Sequence, residues 1–380
     1  MYPWLKREML ERENIMKANS IDAILASFRE DQEYIPGESL SEVSARIDIP
    51  PERIVKLNAN ENLFVPLKFV SAIAREAAEK VDHRLYPGDL MSEVYEKLSN
   101  YLELDKDNIL LGGGADQLID LLIALFGKNG ITTVHPTFMY YRERCKLYNV
   151  PYRYITFNRD LSINIDELDK CLKESSMLIL CTPNNPTGHV IPEDIIREVA
   201  EEFRGIILLD ETYAEFSDIQ LHKLPLEIEN VIVMRTFSKA FAAASIRLGY
   251  IIGSTKVISI VKRFQQPYPV SGFSLKFALL LLDRIEYFKR VWNEVKQVRA
   301  WFYKELEKYS NIQVLPSQAN FVSFGCNIDG KKVYNEFMKR GYLIRIFNDT
   351  LGFKCLVRVT LAPIDILKGF TEVFPEVMNQ

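Results

Sequence analysis

Residues 231–239 read Val-Ile-Val-Met-Arg-Thr-Phe-Ser-Lys, a short apolar run that ends directly in a polar cluster. Similar apolar runs recur along the chain at 109–111, 131–134, 177–181, 206–209 and 249–252. The segments between them are mostly amphipathic, as at 192–203. A strand that is apolar without alternation is buried on both faces, which is typical of a parallel sheet covered by helices. The pattern therefore predicts an α/β fold whose sheet is mostly parallel, with helices on both faces.

The flanking sequence predicts how the chain is divided into domains. After Phe273 the pattern changes to long helices over 274–309, followed by short strand-like runs. A chain of 380 residues is long for one domain, so two domains that share a cleft are the default expectation. We predict a helical extension over 1–33, an N-terminal segment over 34–68 that contributes to the small domain, a large domain over 69–275, and a smaller α+β domain over 276–380.

The composition is that of an ordinary globular protein. Apolar residues make up 48% of the chain and charged residues 26%. Lys and Arg number 47 against 51 Asp and Glu, without a long run of one sign, which argues against nucleic acid as a partner. No stretch reaches the ~18 apolar residues of a membrane span, and the N-terminus lacks the apolar core of a secretory signal. The five cysteines form no metal-binding or disulfide pattern, so we expect reduced thiols, no metal and a cytoplasmic location.

Four of the apolar runs end in polar or glycine-rich clusters. They lie at 112–116 (Gly-Gly-Gly-Ala-Asp), 182–188 (Thr-Pro-Asn-Asn-Pro-Thr-Gly), 210–213 (Asp-Glu-Thr-Tyr) and 235–239 (Arg-Thr-Phe-Ser-Lys). In an open α/β sheet, ligands bind outside the carboxyl ends of the strands. We therefore expect the four clusters to form one shared site.

The glycine cluster precedes a predicted helix over 117–126, so the backbone amides of Ala115 and Asp116 would lie at an exposed helix start. Such a start binds phosphate. The cluster lacks the third glycine of a dinucleotide fingerprint and the Lys-Ser/Thr of a P-loop. The alternative interpretation is a simple turn.

Asp210 and Lys239 are the candidate reactive residues. Asp210 closes a buried run, where its carboxylate requires a cationic partner such as a pyridinium nitrogen; an N-cap or ion-paired aspartate is the alternative. Lys239 follows Thr236 and Ser238, and Arg247 comes soon after, so hydroxyls and a guanidinium would form a phosphate cup beside an amine nucleophile. The small apolar residues after Lys239 favour a desolvated amine of lowered pKa over an ordinary surface lysine.

In this order, the clusters at 182–188, 210–213 and 235–247 resemble those of the fold-type I pyridoxal-phosphate aminotransferases, and the likeness spans 34–380. The resemblance implies that the cofactor is pyridoxal 5'-phosphate and that Lys239 carries it covalently. It implies that Asp210 pairs with the pyridine nitrogen, Asn185 and Tyr213 bind the 3' oxygen, and Phe138 stacks on the ring. Ala115, Asp116, Thr236, Ser238 and Arg247 would hold the phosphate.

Within that group the chain is most similar to the histidinol-phosphate aminotransferases. The shared motifs are Tyr34-Ile-Pro-Gly37, Leu57-Asn-Ala-Asn-Glu-Asn62, Arg84-Leu-Tyr-Pro87, Gly114-Ala-Asp116, Pro267-Tyr-Pro-Val-Ser271 and Ala319-Asn-Phe321. The resemblance implies that Tyr86 reaches the cofactor phosphate of a neighbouring subunit in a homodimer. Arg358 would bind the substrate carboxylate, Arg345 with Tyr34 would face the phosphate, and Asn60 would also contact substrate.

The expected activity is transfer of an amino group from histidinol phosphate to 2-oxoglutarate in histidine biosynthesis. The partners would be these small molecules and glutamate, with no nucleic acid and no membrane. Two enzymatic alternatives share most of the motifs: an aromatic amino-acid aminotransferase and a pyridoxal-phosphate-dependent phosphothreonine decarboxylase. A non-catalytic protein that only senses pyridoxal phosphate is the third alternative.

Overall fold

A computed structural model describes Ile21 and residues 39–378. Apart from Ile21, the predicted helical extension over 1–33 lies outside the described residues, and so does Tyr34 with its motif. The strands, in chain order, are β1 Val55–Lys56, β2 Ile109–Gly112, β3 Ile131–His135, β4 Tyr152–Thr156, β5 Met177–Cys181, β6 Ile206–Asp210, β7 Val231–Thr236, β8 Gly249–Ile252, β9 Ile312–Val314, β10 Phe321–Cys326, β11 Tyr342–Leu343, β12 Arg345–Thr350 and β13 Phe353–Thr360.

The helices of the described residues cover the faces and ends of these strands. In chain order they are α1 Leu40–Ile47, α2 Leu67–Glu79, α3 Gly88–Leu102, α4 Ala115–Phe126, α5 Tyr140–Leu147, α6 Ile165–Leu172, α7 Glu193–Glu202, α8 Thr255–Phe264, α9 Gly272–Leu282, α10 Ile285–Leu306, α11 Gly330–Lys339 and α12 Ile364–Met378. None of them is long and apolar enough to cross a bilayer.

A seven-stranded sheet in the order β2-β8-β7-β6-β5-β3-β4 forms the centre of the fold. All neighbouring strands are parallel except that β8 runs antiparallel to both β2 and β7. Successive residues of one strand enter different cores: Leu208 packs in a cluster on one face, and Leu209 packs in a cluster on the other. The prediction of a mostly parallel sheet buried on both faces is confirmed.

The C-terminal third forms a separate antiparallel sheet in the order β12-β13-β10-β9. β1 pairs in parallel with β11, so the segment around Val55 packs beside the segment around Tyr342. Both sheets contribute residues to one site. Asp210 and Thr236 end β6 and β7 of the central sheet, and Arg358 lies on β13 of the C-terminal sheet. The boundaries of the predicted domains stay a prediction.

Candidate active site

One cavity of about 440 Å³ lies where β5, β6 and β7 end and α4 begins. It brings together most of the predicted site residues, namely Asn60, Ala115, Asp116, Phe138, Asn185, Asp210, Tyr213, Thr236, Ser238, Lys239, Arg247, Arg345 and Arg358. These residues come from points more than 290 positions apart in the chain, so only the fold unites them. Their individual roles stay predictions.

Asp210 presents a buried carboxylate to this cavity. Its Oδ2 accepts a hydrogen bond from the Tyr141 hydroxyl at 2.5 Å, and its Oδ1 accepts bonds from the Thr212 hydroxyl at 2.6 Å and the Thr212 amide at 3.0 Å. Burial raises the pKa of Asp210, and the bonds from Thr212 and Tyr141 oppose that rise. A buried carboxylate in this state is stabilised most by a cationic ligand group. The N-cap alternative is not realised, because Asp210 ends a strand rather than beginning a helix.

A second group of residues that line the cavity has the chemistry of an anion-binding site. Ala115 and Asp116 open α4, and the hydroxyls of Thr236 and Ser238 lie 3.0 Å apart. Arg247 donates a hydrogen bond to the Asp116 carboxylate at 2.8 Å, and both side chains are about half exposed. Gly114 has a φ of +93°, and a Cβ at this position would lie 2.8 Å from the Arg247 guanidinium. The positive φ therefore favours glycine at this position, whereas the exposed end of Arg247 could shift to admit a Cβ.

Lys239 also lines this cavity. The Nζ atom donates a hydrogen bond to the Ala59 carbonyl at 2.8 Å. Burial, followed by the positive charge of Arg358, lowers the pKa of Lys239 to about 8. An amine in this state is far more often neutral near physiological pH than a surface lysine, as a nucleophile requires.

A polar network lines the third side of the cavity. The Tyr213 hydroxyl accepts hydrogen bonds from the Asn60 amide at 2.9 Å and the Asn185 amide at 3.5 Å. Arg358 donates to Asn185 Oδ1 and, at 2.6 Å, to the Asn58 carbonyl. The guanidinium of Arg358 also lies 5.4 Å from the ring centre of Phe321. These contacts hold a buried cation in place before a substrate arrives.

Pyridoxal phosphate fits the residues that surround this cavity. Its cationic ring nitrogen matches the buried Asp210, its phosphate matches the cup at the start of α4, and its aldehyde requires an amine such as Lys239. The Thr137 hydroxyl lines the same cavity, buried and without a hydrogen-bond partner among residues 39–378. A polar atom in that situation calls for a ligand or a water molecule.

Two predicted site residues are not among those that line the cavity. Tyr34 lies outside the described residues. Tyr86 is 82% exposed and stacks on Tyr268 with ring centres 4.9 Å apart. The predicted contact of Tyr86 with the cofactor phosphate of a second subunit is untested.

Three residues in or next to the site had no role predicted from the sequence. Tyr141 supports Asp210 from α5, a helix for which no role was predicted. Lys56 directly precedes the Leu57–Asn62 motif and lines the cavity. Arg235 was quoted within its cluster, but its partner, Glu211, could be identified only from the fold.

Arg235 and Glu211 form a buried ion pair behind the cavity. Both side chains are 1% exposed, and the Arg235 guanidinium donates two hydrogen bonds to Glu211 Oε2, at 2.7 and 2.9 Å. Glu211 Oε1 accepts a further bond from the Leu221 amide at 2.6 Å. The pair joins the residue after Asp210 to the residue before Thr236, so it fixes the ends of β6 and β7 relative to each other.

Glu211→Gln is expected to destabilise the protein strongly. Removing the Glu211 charge leaves the buried Arg235 guanidinium with only the longer contact to Glu215, at 3.7 Å, and breaking a buried ion pair costs about 3–5 kcal/mol. Urea unfolding of the cofactor-free protein at a fixed protein concentration measures the loss. Glu193→Gln is the matched control, because its ion pair with Arg197 is 44% and 38% exposed and is worth at most about 1 kcal/mol. Equal losses in the two variants would contradict a special role for the buried pair.

The likeness to known proteins extends over most of the chain. Residues 52–365 match the family model of the class I and II aminotransferases. The chain is 30% identical to the histidinol-phosphate aminotransferase of Methanocaldococcus jannaschii over 360 residues, which cover 91% of this chain and 95% of that protein.

Solved structures agree with this likeness. The crystal structure of histidinol-phosphate aminotransferase from Sinorhizobium meliloti in complex with pyridoxal 5'-phosphate superposes with a TM-score of 0.81 at 22% identity, covering 93% of this chain and 97% of that one. The corresponding enzyme from Clostridium acetobutylicum gives a TM-score of 0.77 at 26% identity, with 86% and 99% covered. The predicted fold class is confirmed.

Proposed function

The chain belongs to the class I and II aminotransferases, and from that membership we propose that it transfers the amino group of histidinol phosphate to 2-oxoglutarate. It is a pyridoxal-phosphate-dependent enzyme. The observation that carries the proposed substrate is the presence of two arginines, Arg345 and Arg358, in the cavity of the Lys239 amine. The relatives named as histidinol-phosphate aminotransferases support the same donor.

When bound, pyridoxal phosphate supplies an electron sink for the negative charge that develops at the substrate α-carbon. Asp210 keeps the ring nitrogen protonated, because its buried carboxylate is stabilised by a cation against it. The Lys239 amine would take the proton from the substrate α-carbon as a general base and deliver it to the C4' carbon of the cofactor as a general acid. Tyr213 and Asn185 would hold the cofactor by hydrogen bonds to its 3' oxygen.

The arginines hold the acidic groups of two substrates in turn. A guanidinium donates two parallel hydrogen bonds and accommodates either a carboxylate or a phosphate. Arg358 binds the carboxylate of glutamate, and Arg345 faces the phosphate of the donor or the second carboxylate of glutamate. One cavity therefore serves both halves of the reaction.

The pH dependence of cofactor capture follows from the pKa of Lys239. The amine must be neutral to attack an aldehyde, and its pKa of about 8 lies below that of an ordinary lysine. The rate at which apoenzyme covalently captures pyridoxal phosphate should rise about tenfold per pH unit below 8 and level off above it, whereas an ordinary lysine would keep gaining to about pH 10. Borohydride trapping at timed intervals measures this rate.

The variant Arg358→Ala tests whether the positive charge of Arg358 lowers the pKa of Lys239. Arg358 lowers the pKa of Lys239, so its removal should shift the midpoint of the pH profile upward. An unchanged or lower midpoint would show that Arg358 does not act on the amine.

We also propose a homodimer with shared sites. Leu85 and Tyr86 are 70% and 82% exposed, and Tyr268, on which Tyr86 stacks, is 47% exposed. Large apolar side chains grouped at a surface favour contact with another protein. In the dimer, Tyr86 would reach the cofactor phosphate of the second subunit. Sedimentation of a fully active monomer would overturn this proposal.

The proposed donor is tested by comparing histidinol phosphate, phenylalanine and phosphothreonine with the purified holoenzyme. Formation of glutamate from 2-oxoglutarate reports amino transfer, and release of carbon dioxide reports decarboxylation. We expect the highest kcat/KM with histidinol phosphate and no carbon dioxide from phosphothreonine. A higher kcat/KM with phenylalanine would identify an aromatic aminotransferase, and carbon dioxide release would identify a decarboxylase. Inactivity with every donor would favour a sensor.

A further inference from the structure

A lysine lines the cavity beside the predicted substrate arginine. Lys56 ends β1 and Arg345 begins β12, and both contribute to the cavity that contains the Lys239 amine. β1 pairs with β11, where Lys56 lies opposite Leu343, two residues before Arg345. Burial and Arg358 lower the pKa of Lys239 most, Glu61 and Asp116 raise it, and Lys56 lowers it by a smaller amount. Lys56 therefore lies in the same cavity as the reacting amine.

Lys56 forms an accessible ion pair with an acidic residue and is not held by a buried contact. Its Nζ atom lies 2.8 Å from the Glu61 carboxylate, and the two side chains are 36% and 35% exposed. An ion pair this accessible is worth about 1 kcal/mol or less, so a ligand can displace it. Arg358 differs, because it is buried and already bound to Asn185 and the Asn58 carbonyl.

The two substrates of the proposed reaction differ in what they require at Arg345. A carboxylate has two oxygens and one charge, which one guanidinium fork satisfies. A phosphate monoester has three terminal oxygens and a charge of about −1.5 to −2 at neutral pH, which leaves one oxygen and part of the charge unsatisfied by a single arginine. A lysine that lines the same cavity offers a further contact of this kind as a point charge.

We propose that Lys56 is a specificity-determining residue that binds the phosphate of a phosphorylated amino donor together with Arg345. Glu61 holds Lys56 when a carboxylate substrate occupies the cavity and releases it to the phosphate. This inference rests on the proposed function, since it names how the same site distinguishes its two substrates.

The test measures the two half-reactions of Lys56→Gln separately. We expect kcat/KM for histidinol phosphate to fall about tenfold, with the change mainly in KM, and kcat/KM for glutamate to change less than about threefold. Lys56→Arg should restore most of the loss. Lys80→Gln is the matched control, because Lys80 pairs with Glu76 on the surface of the protein. Equal losses with both substrates would overturn the proposal.

Glu61→Gln separates a binding role from a structural one. This change frees Lys56, so KM for histidinol phosphate should stay the same or fall. A rise as large as that in Lys56→Gln would mean that the two residues act only as a structural pair, and the proposal would be wrong.

Inorganic phosphate keeps this inference distinguishable from the proposed function. As a competitor of glutamate with the holoenzyme, phosphate should have an inhibition constant about tenfold higher in Lys56→Gln than in the wild type. That result would support Lys56 even if histidinol phosphate proved not to be the donor. An unchanged inhibition constant would overturn the role of Lys56 while leaving the proposed donor standing.

Discussion

Replacing Lys239 with alanine is expected to abolish amino transfer, with a loss of at least about 10⁴-fold in kcat. Two functions disappear at once: the covalent attachment of the cofactor and the movement of the proton at the substrate α-carbon. The amine lies in the cavity at 2.8 Å from the Ala59 carbonyl, and among the residues that line this cavity the other lysine is Lys56. The Lys56 amine pairs with the Glu61 carboxylate at 2.8 Å and has no predicted role in attaching the cofactor.

Two measurements check the Lys239→Ala variant independently. Steady-state assays give the loss of turnover, and borohydride treatment followed by mass analysis shows whether any cofactor becomes attached to the protein. Lys304→Ala, at an exposed position of α10, is the control and should be indistinguishable from the wild type. An active Lys239→Ala variant, or one that still attaches cofactor after reduction, would refute the central role of this lysine.

The fold could be predicted where local sequence and burial agree. The runs that became β5, β6 and β7 are apolar without interruption because each strand is covered on both faces. β4 was not predicted, since it lies at the edge of the sheet and buries Ile155 alone among its five residues. Because a half-exposed strand contains polar and aromatic residues, it does not stand out in the sequence as an apolar run.

The site could be predicted only in part, for a related reason. Asp210 and Lys239 follow buried strands and are visible as polar residues where apolar runs stop. Tyr141 is different, because it lies 69 positions from Asp210 in the chain and no local sequence pattern around Tyr141 predicts the contact. The contact between Arg235 and Glu211 likewise depends on β6 and β7 being neighbours. Residues that act through a partner require the fold to be known.

Asp210→Asn is expected to reduce kcat about 10²- to 10⁴-fold with little change in KM, because the lost interaction stabilises charge that develops during the reaction. The amide has nearly the same shape as the carboxylate: its oxygen can still accept both bonds from Thr212, and its NH2 group can donate to the Tyr141 hydroxyl oxygen instead of accepting from it, so the fold around β6 should be preserved. What it cannot do is stabilise a positive ring nitrogen. Tyr141→Phe, which leaves the carboxylate and both Thr212 bonds in place, should cost only about tenfold.

A cofactor analogue decides whether the charge of Asp210 is the cause of this loss. Pyridoxal phosphate methylated at its ring nitrogen has a permanent positive charge and needs no carboxylate to keep a proton there. Reconstituting Asp210→Asn with this analogue should therefore recover part of the lost kcat, whereas the wild type should gain nothing from it. If the variant is not rescued although it binds the analogue as tightly as the natural cofactor, Asp210 acts by positioning the ring, and its buried carboxylate is not the source of the rate.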